Sequence, residues 1–231
     1  MPTVTAAPTV AAVGPGGPAV ERAVERAVER VVEHLRLEQP DELRLVCIEG
    51  PGGAGKSTLA AAVAAHYRAA DITVVHGDDL FGARERRWLD GREPQDGALS
   101  DGYDVFRHDR LQHELLSSLR AGDRARFQRY DWVSDSLAEW LTVPPQGLVL
   151  VEGAYLLRRH LRRYWDVALF VQTPRTVRHA RMHARDQNAS GWIERWVAAE
   201  DAYLAAEDPA AAADLTVAGT SEVTRPPTAP R

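Results

Sequence analysis

One stretch constrains the fold of this chain more than any other: residues 43–58, which read Leu-Arg-Leu-Val-Cys-Ile-Glu-Gly-Pro-Gly-Gly-Ala-Gly-Lys-Ser-Thr. The apolar run at its start is typical of a buried strand, and the residues after the glycines are typical of a helix. Gly50, Gly55, Lys56 and Ser57 match the pattern G-x-x-x-x-G-K-[ST], in which a backbone loop cradles phosphate groups. The sequence therefore predicts a strand, a phosphate-binding loop and a helix in direct succession.

The residue types in this loop suit the binding of a nucleoside triphosphate. Glycines let the backbone bend so that successive N–H groups point at phosphate oxygens, and the start of the helix offers further N–H groups to the same anion. Lys56 is the only lysine in the chain, so a lysine at this position by chance would be unusual. We predict the nucleotide-binding residues Gly50, Gly52, Gly53, Ala54, Gly55, Lys56, Ser57 and Thr58. The alternative is a fortuitous glycine-rich turn.

Composition limits the other functions that the chain could have. It has 231 residues, 45% of them hydrophobic and 26% charged, and its net charge of −5 gives no electrostatic support for a nucleic-acid partner. No apolar run is long enough to span a membrane, and the N-terminus lacks the features of a secretory signal. We expect a cytoplasmic protein that acts on a small molecule, without nucleic acid or membrane. A homo-oligomer remains open.

The remaining apolar runs indicate an α/β fold. Further strands are expected at 72–76, 147–153, 166–171 and 215–218, and helices after the loop and at 104–119, 173–186 and 191–206. The strands show no alternation of apolar and polar residues, and helices separate them. This pattern is typical of a parallel sheet that is covered on both faces.

The N-terminal part precedes this pattern. Residues 1–19 carry no charge and read as a flexible leader, and residues 220–231 read as a flexible tail. Between residues 20 and 37, apolar side chains recur at helical spacing, which predicts an amphipathic helix packed beside the first strand. A dimerising coil is the alternative. Residues 20–219 are expected to form a single domain.

Acidic residues follow two of the predicted strands. Asp78 and Asp79 come after the second strand, and Glu152 ends the third. In open parallel sheets, ligands bind at the carboxyl ends of the strands. Phosphoryl transfer needs a metal ligand beyond the loop serine and a carboxylate facing the attacking hydroxyl. We predict Ser57 and Glu152 as Mg²⁺ ligands and Asp78 as the base, and we interpret Asp79 as a turn or cap residue.

Arginines on a later helix are candidates for stabilising the transferred phosphoryl group. Arg178, Arg181 and Arg185 lie on one helical face, and the segment from about 178 to 190 could form a lid over the phosphates. We predict catalytic roles for Lys56 and for these arginines beside Asp78. A solvated basic stripe is the alternative.

Five further motifs give the chain a resemblance to a known family. They are Asp-Asp-Leu-Phe at 78–81, Tyr-Asp-Trp-Val-Ser at 130–134, Val-Glu-Gly-Ala at 151–154, Arg-Met-His-Ala-Arg-Asp at 181–186 and Ala-Asp-Leu-Thr-Val-Ala-Gly at 213–219. Together with the loop, they resemble the uridine/cytidine kinase branch of the P-loop kinases, which includes phosphoribulokinase-like and pantothenate kinase-like members. The resemblance implies a P-loop nucleoside triphosphate hydrolase fold with a five-stranded parallel sheet of order 2-3-1-4-5.

The resemblance also implies an activity and an acceptor site. It implies ATP or GTP with Mg²⁺ as the donor, and transfer of the γ-phosphoryl group to a sugar hydroxyl. The residues it implies for the acceptor site are Asp78, Phe81, Asp104, Tyr130, Trp132 and Asp135. Asp135 stands where the family has a histidine that reads the pyrimidine, and Phe81 where it tends to have tyrosine.

These departures leave two hypotheses for the function. The first is a kinase for a nucleoside, a modified nucleoside, a nucleoside antibiotic or another sugar-bearing molecule. The second is a regulatory ATPase or switch protein without a small-molecule acceptor. A GTP switch would be expected to carry N-K-x-D, which cannot occur because Lys56 is the only lysine.

Overall fold

The computed structural model describes residues 18–35, 42–67, 71–92, 102–185 and 191–219. The predicted tail and nearly all of the predicted leader lie outside these ranges. Along the described chain, the strands are β1 (Arg44–Glu49), β2 (Ile72–His76), β3 (Ala125–Asp131), β4 (Ser136–Val143), β5 (Leu148–Gly153), β6 (Val167–Gln172) and β7 (Leu215–Ala218). The α-helices are α1 (Pro18–Leu35), α2 (Lys56–Ala64), α3 (Ala83–Leu89), α4 (Ser117–Arg120), α5 (Arg175–Arg185), α6 (Trp192–Glu207) and α7 (Pro209–Ala212).

Five parallel strands form the central sheet in the order β2-β5-β1-β6-β7. Counted along the chain within this sheet, that order is 2-3-1-4-5, as the resemblance implied. The predicted α/β fold with a parallel sheet is confirmed. Because β5 lies between β1 and β2, the end of β5 is adjacent to the ends of both neighbours.

The sheet is covered on both faces, and β1 shows how the sequence divides between them. Val46 and Ile48 pack on one face with α1 and α2, whereas Leu45 and Cys47 pack on the other with the helical segment that ends in α4. Successive side chains of a strand point to opposite faces, so a strand that is buried on both sides must be apolar throughout.

The predicted N-terminal helix is present as α1. Its residues Val28, Val31 and Leu35 are buried in the same core cluster as Val46 and Ile48 of β1. Within the chain, α1 lies against α2 and β7. The apolar face of α1 therefore belongs to the core of the domain.

Two local predictions were incomplete. The hairpin over 125–143 was not predicted from the sequence. There, β3 and β4 form a separate antiparallel sheet with an irregularity between Gln128 and Tyr130.

The helix predicted from Asp104 to Leu119 begins later than expected. Residues 102–105 form a short 3₁₀ turn, and the helix proper includes a π-helical segment, Leu111–Leu116, that continues into α4. His108 separates the two with a φ of 57°, a left-handed conformation that interrupts the helix.

A third core cluster lies at the carboxyl edge of the sheet and is rich in aromatic residues. Phe106 stacks on Tyr155 with ring centroids 4.7 Å apart, and Trp196 contacts both rings edge-on. These ring contacts hold α6 against the segment that follows β5. None of the described helices is both long and apolar enough to cross a lipid bilayer.

Candidate functional site

The glycine-rich loop connects β1 to α2, as predicted. Gly53 and Gly55 have φ angles of 73° and 100°, in the left-handed region that favours glycine. A Cβ on Gly53 would also lie 2.6 Å from the carbonyl oxygen of Arg178. The loop thus packs against the backbone of α5 with no room for a side chain at this point.

Ser57 and Glu152 meet at the end of the sheet. The hydroxyl of Ser57 donates to Oε1 of Glu152 at 3.0 Å, and Nδ1 of His76 lies 2.7 Å from the same oxygen. Burial would raise the pKa of Glu152, but the hydrogen bond with His76 and the charge of Lys56 outweigh it and lower that pKa below its usual 4.5. The same hydrogen bond raises the pKa of His76. Glu152 is therefore a carboxylate anion at neutral pH, held beside Ser57.

The pair of Ser57 and Glu152 fits the demands of Mg²⁺. This cation prefers oxygen ligands and is usually held by one or two carboxylates together with substrate phosphates and water. In the described ranges, no group of three or more His, Cys, Asp or Glu side chains forms a metal cage. One hydroxyl and one carboxylate beside a phosphate-binding loop match that mode of binding, so these two residues would hold the ion.

Asp78 lies just after β2, in the 3₁₀ turn Gly77–Leu80, and is exposed to solvent. Partial desolvation by the surrounding protein and the charge of Glu152 raise the pKa of Asp78, whereas the charges of Lys56 and Arg185 lower it. Asp78 thus lies within the electrostatic reach of both the loop lysine and α5. Desolvation also raises the pKa of the half-buried Asp79, to about 6.

The three arginines predicted on one face of α5 occupy different environments. Arg178 is buried and pairs with Glu200 across 3.3 Å, so the expectation that it faces the phosphates is wrong. Arg181 is half-buried, and its Nη1 donates to the carbonyl oxygen of Gly53 at 3.1 Å. Arg185 is exposed at the end of α5. The rest of the predicted lid, residues 186–190, lies outside the described residues.

Tyr130, Trp132 and Asp135 lie together on the β3–β4 hairpin. The hydroxyl of Tyr130 donates to the carboxylate of Asp135, which is exposed in the turn. The indole Nε1 of Trp132 donates to the backbone carbonyl of Asp78 at 3.1 Å. The ring of Trp132 meets those of Tyr130 and Phe81 edge-on. The hairpin is therefore attached to the turn that carries Asp78.

Two residues predicted for the acceptor site are engaged with other parts of the protein. Phe81 is 1% exposed and stacks on the imidazole of His108 at 4.4 Å, so it supports the site from within the core. The carboxylate of Asp104 pairs with Arg158 at 2.8 Å. The geometry gives both residues structural contacts that the sequence motifs did not indicate.

Two buried carboxylates that contact the loop were missed. Glu49 accepts hydrogen bonds from the amides of Gly50 and Leu157, both at 3.0 Å, and Glu200 accepts one from the amide of Gly52 at 2.5 Å. Burial raises the pKa of Glu49 to about 7, although the amides of Leu157, Leu156 and Tyr155 and the charge of Lys56 oppose the shift. The sequence contained a signal for each carboxylate: Glu49 directly follows the apolar run 45–48, and Glu200 lies on the apolar stripe of α6. Such a charge requires partners within the fold.

Comparisons with known proteins relate the chain to a kinase family and to structures of similar fold. Residues 45–211 match the model of the phosphoribulokinase/uridine kinase family. A protein provisionally named uridine kinase from Bacillus stearothermophilus has a similar structure, with a TM-score of 0.63 and 20% identity over 84% of this chain and 98% of that one. A protein provisionally named fructose transport system kinase from Silicibacter sp. TM1040 has a TM-score of 0.55 and 26% identity, over 84% of this chain and 98% of that one. No curated protein sequence matches the chain.

Proposed function

Because the chain belongs to the phosphoribulokinase/uridine kinase family and is therefore a small-molecule kinase, we propose that it phosphorylates a hydroxyl of a nucleoside or nucleoside-like acceptor. The proposed donor is ATP or GTP with Mg²⁺. This proposal keeps the acceptor class broad, since the residues that would contact the base differ from those expected of a uridine kinase.

The observation that carries this proposal is the meeting of three strand ends. Lys56 and Ser57 follow β1, Asp78 follows β2, and Glu152 lies near the end of β5, which pairs with both of those strands. Glu152 is paired in register with Ile48 on one side and His76 on the other. The residues proposed as phosphate-binding lysine, metal ligands and base thus lie at one edge of the sheet.

The residues have distinct roles in the proposed reaction. The loop amides and Lys56 bind the phosphates, while Arg181 and Arg185 stabilise the charge that spreads over the transferred group. The carboxylate of Asp78 accepts the proton of the acceptor hydroxyl as that oxygen bonds to the γ-phosphorus and the bond to the β-phosphate oxygen breaks. Mg²⁺, when bound, neutralises phosphate charge. Ser57 and Glu152 are the side chains proposed to hold it.

The hairpin supports the nucleoside-like class of acceptor. The half-buried ring of Trp132 suits the packing of a planar ring, and Tyr130, which is only 2% exposed, supports Trp132 edge-on from within the core. Asp135, fixed by Tyr130, offers a carboxylate that accepts hydrogen bonds and donates none when ionised. An acceptor with an N–H or O–H group directed at Asp135 would be favoured over one that presents only acceptor atoms.

The test is ADP release by the purified protein with ATP, Mg²⁺ and a panel of nucleosides, modified nucleosides and simple sugars, repeated with GTP. We expect release that depends on a nucleoside-like acceptor and yields a phosphorylated product. Release at the same rate without acceptor would instead support the regulatory ATPase, and release with simple sugars alone would reject the nucleoside-like class.

Asp78→Asn tests the assignment of the base. Removing a general base typically slows turnover by roughly 10²–10⁴-fold, whereas we expect the affinity for ATP to change only a few-fold. Asp79→Asn is the matched control, because it removes the neighbouring carboxylate and should retain turnover. Since the raised pKa of Asp78 makes its protonated form persist to higher pH, kcat/KM should fall as the pH drops through that pKa. Full turnover by Asp78→Asn would exclude the assignment.

A further inference from the structure

A groove next to the phosphate-binding loop is lined in part by the N-terminal helix. Its walls come from the start of α2, from α1 and from the end of β7, and they include Gly55, Thr58, Val24, Ala27, Val217 and Gly219. The groove encloses about 30 Å³, or about 330 Å³ when its open mouth is counted. A planar ring would therefore lie against the walls at the mouth and stay partly exposed.

The position of the groove relative to the loop identifies what could enter it. Gly55 is the last residue before α2, and Thr58 lies in the first turn of that helix. A nucleotide whose phosphates occupy the loop must place its ribose and base within one nucleotide length of this turn. The groove begins there, and apolar side chains supply most of its lining, which suits the faces of a nucleobase.

The wall formed by the end of β7 is held close to the loop. A Cβ on Gly219 would lie 2.5 Å from the carbonyl oxygen of Ala54 and 1.9 Å from the hydroxyl oxygen of Thr173. The amide of Gly219 donates to the carbonyl of Gln172 at 2.7 Å. This side of the groove is therefore fixed, and it lies directly beside the phosphate-binding loop.

The wall formed by α1 lies outside residues 45–211, which the family model matches. Val28, Val31 and Leu35 anchor the helix in the core together with Leu59 of α2. Val24 and Ala27 are half-buried at the edge of the same face, where they border the groove. Ala27 and Thr58 line the same groove.

We propose that α1 forms the outer wall of the site for the base and ribose of the donor nucleotide. This inference rests on the proposed function only in taking the ligand of the loop to be a nucleotide. Binding of the nucleoside part then requires α1 to be docked, and by linkage bound nucleotide holds α1 in place. A ligand that consists of phosphates alone gains nothing from the helix.

The experiment compares ADP with inorganic tripolyphosphate as calorimetric ligands, with Mg²⁺ and without acceptor. Ala27→Leu narrows the groove, and Arg26→Leu places the same side chain at the adjacent, exposed position as the control. We expect Ala27→Leu to weaken ADP about tenfold, which corresponds to about 1.4 kcal/mol, and to leave tripolyphosphate within about twofold. The control should change neither affinity. Equal weakening of both ligands, or unchanged ADP affinity, would overturn the proposal.

Hydrogen exchange on the unaltered protein provides a second test, in case Ala27→Leu displaces α1. ADP should slow the exchange of α1 amides, and tripolyphosphate at matched saturation should not. Protection by both ligands, or by neither, contradicts the role of α1. If no nucleotide binds the unaltered protein, the proposed function fails. If ADP binds but the protein shows no kinase activity, the same two measurements still test the inference about α1.

Discussion

Replacement of Glu200 by glutamine should destabilise the protein strongly while it spares the contact between α6 and the loop. Glu200 and Arg178 are 1% and 4% exposed, and they form an ion pair in the interior. Oε1 of Glu200 accepts from the amide of Gly52 at 2.5 Å and from Nε1 of Trp196 at 2.6 Å. Oε2 faces Nη1 of Arg178 at 3.3 Å. The two oxygens thus have separate partners.

The magnitude follows from this division. In Glu200→Gln, the amide oxygen can remain with Gly52 and Trp196, and the NH₂ group then faces the guanidinium of Arg178, which leaves a buried charge without a counterion. Breaking a buried pair in this way costs about 3–5 kcal/mol. That is a large share of the roughly 5–15 kcal/mol by which a typical domain is stable. The opposite orientation of the amide would place its NH₂ against two donors and is less favourable.

Urea unfolding of four proteins measures the effect: the unaltered chain, Glu200→Gln, Arg178→Met and the double variant. We expect each single change to lower the free energy of unfolding by about 3–5 kcal/mol and the double change to cost clearly less than their sum, since neither charge is left unpaired. The folded fraction of Glu200→Gln should retain ADP affinity within a few-fold. A loss below about 1 kcal/mol in Glu200→Gln, or strict additivity in the double variant, would refute the reasoning.

Three other predictions address other parts of the fold and site. Glu49→Gln places an amide NH₂ among backbone donors and should lower the free energy of unfolding by about 2–3 kcal/mol. Tyr203→Phe removes only one donor to Glu49 and should lower it by about 1 kcal/mol. Similar losses for both variants in urea unfolding would contradict the role of Glu49 as the acceptor of several hydrogen bonds. Burial lowers the pKa of His108 to about 4, so on acidification the unfolded chain takes up a proton at this residue before the folded protein does, and stability falls. Between about pH 7 and pH 5, His108→Asn should therefore lose less stability than the unaltered protein, and an equal loss would assign the acid sensitivity to other groups. Asp135→His should shift acceptor preference toward uridine or cytidine in steady-state assays, and unchanged selectivity would place position 135 outside the acceptor site.

Sequence reasoning succeeded where local pattern determines structure. The five apolar runs of the parallel sheet could be located because a strand buried on both faces tolerates few polar residues. The loop from Gly50 to Ser57 could be recognised because its backbone conformation restricts the residue types. The acids Asp78 and Glu152 could be assigned to one edge because parallel strands end together. Each of these inferences depends on neighbours in the chain.

Sequence reasoning failed where the partner of a side chain lies far away in the sequence. Arg178 is spaced along α5 as if it shared a face with Arg181 and Arg185, but its side chain is buried and pairs with Glu200 on α6. Phe81 belongs to a motif, but its ring packs on His108. The hairpin was overlooked although Ala125 and Phe127 alternate with exposed neighbours, since two short strands outside the main sheet give a weak pattern.

The buried acids that the motif does not contain explain how the loop keeps its shape. Its amides at Gly50 and Gly52 donate to Glu49 and Glu200, at 3.0 and 2.5 Å. Its carbonyls are also engaged: Pro51, Gly53 and Ala54 accept from Lys56, Arg181 and Thr173 at 3.1, 3.1 and 2.9 Å, respectively. Side chains around the loop therefore satisfy these backbone groups.

The amides at the start of α2 differ from these groups, because the first N–H groups of any helix lack hydrogen-bond partners within the helix. They are the groups that an anion can approach. A loop whose other polar groups are already bonded loses little conformational freedom when phosphate binds, so more of the contact energy appears as affinity. The residues outside the motif thus make the glycine-rich loop an ordered site, so variants at Glu49 and Glu200 test the order of the loop, whereas variants of Lys56 test its contact with phosphate.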